Sequence, residues 1–322
     1  MNEALLSNQV IVFLLSEFTL FTLLFIAFVV SLKVLVKWDF ESFTPFQFSL
    51  ERQAYLVSTI ILFVFLLKFV LVIYFIFSID ALAVLLPGAM CGAGVIKANE
   101  YGSYLLTLKL FILFLLTLWL YVHYYDMHTK NHQWFKQKSW LFSLIFIFII
   151  LELALDFSYF SNIDTHMPVS CCSALFGQLE GANPLPFGLS TPLLLVLFYL
   201  LYILLILTLK IGYTLLYVFT NVLFILIAYY AVIYFFGTYI YELPTHKCPF
   251  CMLQTEYHYI GYLLWGSLFM GSYIGLSDAV SMLWLRKAEM RYQKLVIRLL
   301  SVFVLLCTAY VAVYYLRNGV LL

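Results

Sequence analysis

Five of the six cysteines lie in three short connections between long apolar segments, and their thiolates would be nucleophiles or soft metal ligands. They are Cys91, the adjacent pair Cys171 and Cys172, and the C-x-x-C pair Cys248 and Cys251. The steps from Cys91 to Cys171 and from Cys171 to Cys251 are both 80 residues. This regular spacing predicts that each cysteine site occupies the same position in three successive helical hairpins.

The segment HKCPFCM, residues 246–252, is the sharpest local motif. A C-x-x-C with proline after its first cysteine is common in thiol–disulfide exchange sites. A helix that begins at the motif, aided by Lys247 and a protonated His246, would lower the pKa of the first thiol. Cys248 is then the attacking thiolate and Cys251 the resolving partner. The remaining outer cysteines, Cys91, Cys171 and Cys172, would relay electrons.

The same loops also favour a metal site. Adjacent cysteines span too short a distance for an unstrained disulfide, and five outer cysteines leave an odd thiol. Cysteine and methionine select Cu(I), and imidazole suits copper. A soft or imidazole side chain accompanies every cysteine site: Met90, His166, Met167, His246 and Met252. Copper binding is therefore the alternative to redox chemistry at these residues.

Composition identifies a membrane protein, because 65% of the 322 residues are hydrophobic and only 10% are charged, against about 25% in soluble domains. A net charge of +1 without a basic stripe gives no sign of nucleic-acid binding. A bilayer core needs roughly 20 apolar residues per helix. Eight windows qualify, at about 8–32, 54–78, 102–124, 140–161, 191–210, 213–237, 257–283 and 296–316. We expect an all-α integral membrane protein with one domain over residues 1–322.

Basic residues predict the orientation, because cytoplasmic loops carry the excess of lysine and arginine. With the N-terminus outside, twelve of these residues fall in inner connections and only Lys97, Lys247 and Arg317 fall in outer ones. Both termini and the cysteine loops of the three hairpins are therefore expected on the extracytoplasmic side. This favours the inner membrane, with the loops in the periplasm, where disulfides persist.

Charged residues inside the predicted spans are expensive in lipid and demand partners. Matching depths pair Lys68 with Glu152 and Lys109 with Asp156. These pairs could hold helices together. They could instead form a proton path or bind a polar head group, and the protein would then be a transporter.

The outward C-x-x-C at Cys248 and Cys251, with a loop cysteine as shuttle, resembles membrane oxidoreductases of the disulfide-bond protein B and vitamin K epoxide reductase type. That resemblance implies electron transfer between periplasmic thiols and a quinone. Those families have a four-helix core, whereas this chain has eight predicted spans. The resemblance is one of mechanism only and assigns no family. The leading hypothesis is a thiol–disulfide oxidoreductase with a periplasmic protein partner, and quinone or copper as the cofactor.

Overall fold

The computed structural model describes residues 3–39, 44–129, 134–169, 185, 188–244, 246–285 and 292–322. Within these ranges every regular element is helical. In this described part of the chain, eight helices are long and apolar enough to cross a membrane, as expected of a multi-pass membrane protein. The number and approximate positions of the predicted spans are thereby confirmed. The locations of the termini, the hairpin arrangement and the single domain over residues 1–322 stay predictions.

The chain divides into two compact units. Unit 1 comprises Met1–Pro87 and Val95–Pro168, and unit 2 comprises Gly88–Gly94 and Val169–Leu322. The cysteines that the structure describes belong to unit 2, and the predicted charge pairs belong to unit 1.

Unit 1 is built from four long helices: α1 (Asn8–Lys37), α2 (Pro45–Leu82), α4 (Tyr101–Met127) and α5 (Phe135–Ser161). Helix α1 packs against α2 and α5, and α4 packs against α5 and α2, which closes a bundle. Local sequence sets where α1 and α2 begin. Ser7 accepts a hydrogen bond from the Val10 N–H at 3.4 Å, and Thr44 accepts one from the Gln47 N–H at 3.3 Å. These are N-caps, which satisfy amide groups that a helix start leaves unpaired.

Among its described residues, unit 2 contains four long helices: α6 (Thr191–Ile211), α7 (Thr214–Tyr241), α8 (Ile260–Leu285) and α9 (Gln293–Asn318). Helix α7 packs against α6, α8 and α9, and α8 packs against α9. Hydroxyl pairs join α6 to α9, since Tyr199 lies 2.9 Å from Thr308 and Tyr202 lies 2.7 Å from Ser301. The five-residue helix α3 (Gly92–Ile96) follows Cys91; its residues up to Gly94 belong to unit 2 and those from Val95 belong to unit 1.

The segment between α7 and α8 carries the C-x-x-C motif, and it is not the start of a long helix. Cys251–Leu253 and Thr255–Tyr257 form two short 3-10 turns. His258 and Tyr259 then adopt left-handed backbone with φ of 53° and 56°. Because that conformation interrupts a right-handed helix, α8 begins only at Ile260. The expectation that a long helix begins at the motif is therefore wrong, and because the effect of a helix macrodipole falls off within the first turn, the macrodipole of α8 does not act at Cys248.

Candidate functional site

Three cysteines from two separate segments of unit 2 meet in one buried cluster, defined here as the cysteine cluster: Cys91, Cys248 and Cys251. Their sulfur atoms all lie within 4.8 Å of one another. The Cys91 and Cys248 sulfurs are 3.6 Å apart. All three residues are present as thiols, and none is more than 7% exposed. The structure thus brings the loop cysteine onto the C-x-x-C pair.

The surroundings of Cys91 favour its thiolate form. The interaction with Cys248 is the largest influence on the Cys91 thiol, and the interaction with Cys251 comes next. Both hold the pKa of the Cys91 thiol well below its usual range. Burial opposes this effect, while the N–H groups of Ala93 and Gly94 assist it. A thiol that accepts hydrogen bonds in its charged form loses its proton more readily. The Cys248 sulfur also accepts a hydrogen bond, from the Phe250 N–H at 3.4 Å. The assignment of Cys248 as the attacking thiolate stays a prediction.

Tyr241, at the end of α7, holds the C-x-x-C segment in place. Its hydroxyl donates a hydrogen bond to the Cys248 carbonyl and accepts one from the Met252 N–H at 3.1 Å. From α8, the Trp265 indole N–H donates to the Pro249 carbonyl at 3.2 Å. The sequence analysis missed both residues, because nothing in a tyrosine or tryptophan of a hydrophobic span marks it as a loop anchor.

His246 lies beside the cluster, with its ring against Tyr241 at 4.3 Å between centroids. Burial lowers its pKa despite the opposing effect of Cys91, so the imidazole is neutral rather than protonated as the sequence analysis expected. Its Nε2 atom is buried and has no hydrogen-bond partner among the described residues. A buried nitrogen without a partner is unusual, and a neutral imidazole is the form that binds metals.

The other sulfur and imidazole candidates are distributed differently. Met252 is buried beside Cys251, whereas Met90 is 68% exposed and its carbonyl accepts a hydrogen bond from Gln254 at 3.3 Å. His166 and Met167 are exposed and belong to unit 1. Cys171 and Cys172 lie outside the described residues.

The two charge pairs predicted in unit 1 belong to one network. The structure brings together the pairs expected from the sequence: Lys68 Nζ lies 2.7 Å from Glu152, and Lys109 Nζ lies 2.9 Å from Asp156. Glu152 also contacts Lys109 at 2.8 Å, so it bridges both lysines. Glu17 completes the network at 2.8 Å from Lys68. The sequence analysis gave Glu17 no partner, although its place within the first apolar span was a signal that it needed one.

Comparison with known proteins finds no matching protein family, curated protein or solved structure.

Proposed function

We propose that this protein binds a soft metal ion, Cu(I), through Cys91, Cys248 and Cys251. The observation that carries the proposal is the convergence of three buried sulfurs. Two thiolates bound to one ion at about 2.3 Å lie roughly 3.8–4.0 Å apart. The distance of 3.6 Å between Cys91 and Cys248, and the 4.8 Å limit for the other pairs, are close to that requirement. Small movements would bring all three sulfurs onto one ion.

Burial supports metal binding over exchange with a protein disulfide. A thiol that attacks another protein must be reached by it, and reactive cysteines are partly exposed for that reason. The cysteine cluster is nearly closed, which suits an ion held away from water and oxidants. The neutral His246, with its buried Nε2, supplies a further donor close to the site.

We infer that the site faces the extracytoplasmic side, which for an inner-membrane protein is the periplasm. The support is the distribution of lysine and arginine, which places the cysteine-bearing connections opposite the basic ones. On that side the protein would take copper from, or deliver it to, a periplasmic protein.

Copper loading of the full-length protein in detergent tests the proposal. Native mass spectrometry and metal analysis should find one Cu(I) ion per chain, and Cys91→Ser, Cys248→Ser and Cys251→Ser should each lose it. Cys307→Ser is the matched control, because Cys307 is a buried cysteine of α9 outside the cluster. Zinc in place of copper would overturn the choice of metal. Full copper binding by Cys91→Ser would overturn the three-sulfur site.

Thiol–disulfide redox chemistry is the second candidate, and the contact between Cys91 and Cys248 favours it. Oxidation of the Cys248 and Cys251 thiols forms one S–S bond and releases two protons and two electrons, which reduce a quinone to a quinol. The Cys91 thiolate would then attack the Cys248 sulfur 3.6 Å away, forming a Cys91–Cys248 bond and releasing Cys251 as the thiolate. Alkylation with and without reductant distinguishes the two candidate functions. A reducible bond between Cys248 and Cys251 in metal-free protein supports the redox function. Three thiols that bound copper protects from alkylation oppose it.

A further inference from the structure

The charge network of unit 1 contains more carboxylates than cations. Its acids are Glu17 on α1 and Glu152 and Asp156 on α5, and its bases are Lys68 on α2 and Lys109 on α4. Every member is at most 3% exposed. If all five were ionised, three negative charges would face two positive ones. A net charge of −1 would then lie in the interior of an apolar bundle, which is strongly unfavourable.

The hydrogen bonds show which carboxyl group lacks compensation. Both oxygens of Glu17 accept from Lys68, at 2.9 and 2.8 Å. Each oxygen of Glu152 accepts from a different lysine, at 2.7 and 2.8 Å. Asp156 uses only Oδ2, at 2.9 Å from Lys109, and its Oδ1 is buried with no partner among the described residues.

We propose that Asp156 holds an exchangeable proton on Oδ1 and that the network is a proton-binding site. Binding of the proton forms an O–H bond and brings the net charge of the network to zero. Release of the proton restores the net charge of −1. A neutral carboxyl oxygen is much less costly to bury than a charged one. The groups that face Asp156 are Lys109 from α4, Glu17 from α1 and Glu152 from its own helix, with Lys68 of α2 behind them.

The lysines are held too tightly to supply the proton themselves. Lys109 lies among Glu17, Glu152 and Asp156, and the rings of Phe13 and Phe75 face its Nζ at 5.0 and 4.7 Å. Carboxylates and aromatic faces both favour the charged ammonium. Asp156 is therefore the group of the network that changes protonation first. This assignment is independent of the cysteine cluster, which belongs to unit 2.

Infrared spectroscopy of the full-length protein in lipid nanodiscs tests the proposal through the carbonyl band of a protonated carboxyl group. At neutral pH the wild type should show this band, and labelling with side-chain ¹³C-aspartate should shift it. Asp156→Asn should remove it, while Asp164→Asn, a change at an exposed aspartate, should leave it unchanged. Absence of the band, or a shift only after glutamate labelling, would overturn the assignment.

Glu17→Gln and Glu152→Gln test the charge count itself. Each removes one negative charge, so the remaining two acids balance the two lysines and Asp156 should lose its proton. The aspartate band should therefore disappear although Asp156 is still present. If one of these two variants does not fold, the measurement is made on the other variant. Persistence of the aspartate band in a folded variant would refute the account.

Discussion

Substitution of Gly261 by alanine tests how closely the cysteine cluster depends on the packing behind it. A Cβ atom at Gly261 would lie 2.6 Å from Met252 Cγ and 2.9 Å from the Met252 carbonyl carbon. It would also lie 2.8 Å from Leu253 Cδ2. Carbon atoms pack favourably at about 3.5–4.0 Å, so the turn Cys251–Leu253 must move by roughly 1 Å.

That movement is large compared with what a metal site accepts. Ligand distances must lie within about 0.2 Å of their preferred values. A structural zinc site with four ligands contributes roughly 10–16 kcal/mol, or about 2.5–4 kcal/mol per ligand. Complete loss of Cys251 as a ligand would thus weaken binding by about 100- to 1,000-fold. Changes to residues behind a ligand weaken binding by roughly 10- to 100-fold. We expect about a 100-fold loss of Cu(I) affinity for Gly261→Ala, where these two ranges meet.

Competition with a colorimetric Cu(I) chelator measures this affinity in the purified full-length protein. Gly266→Ala is the matched control on the same helix, because a Cβ atom there meets nothing within 4 Å. Its affinity should equal that of the wild type. Equal affinities for all three proteins would refute the link between the packing of α8 and the cysteine cluster. Thermal unfolding of both variants separates a local change from global destabilisation.

Three further outcomes follow from contacts of the same kind. Tyr241→Phe removes both hydrogen bonds to the C-x-x-C segment and should weaken Cu(I) binding by about 10-fold. Tyr239→Phe, whose hydroxyl bonds Leu322, should leave binding unchanged by the same chelator assay. Because the pKa of Cys91 is lowered, its thiolate is already formed at about pH 6. Alkylation of Cys91 in the metal-free protein, followed by mass spectrometry, should therefore proceed at nearly the same rate at about pH 6 and about pH 8. A rate rising about tenfold per pH unit would indicate an ordinary thiol. Asp126→Asn removes the negative charge that lies 2.9 Å from the buried Lys138 ammonium, and it should lower the free energy of unfolding by about 3–5 kcal/mol, seen as a lower Tm.

The membrane-spanning helices were predictable because their signal is local. A run of apolar residues long enough to cross a bilayer is visible in the sequence whatever surrounds it. The helices extend beyond several of those windows, as α2 does from Pro45, because caps and polar first turns lengthen a helix without adding hydrophobicity.

The charge contacts were predictable in part. Depth along a helix follows from position in the chain, which was enough to pair Lys68 with Glu152 and Lys109 with Asp156. The rotation of each helix about its axis and its packing against neighbouring helices do not follow from position in the chain. Those two properties decide that Glu152 bridges both lysines and that Glu17 joins them.

By itself, the sequence determined that this is a membrane protein of eight apolar helices with its cysteines concentrated between them, because hydropathy and cysteine position are properties of single residues and short windows. Only the tertiary structure decided that Cys91 meets Cys248 and Cys251, and that contacts with these two cysteines lower the pKa of the Cys91 thiol. The physical reason is that these features arise from packing between distant segments. Cys91 and Cys248 are 157 residues apart in the chain, and the left-handed backbone at His258 and Tyr259 separates the motif from α8.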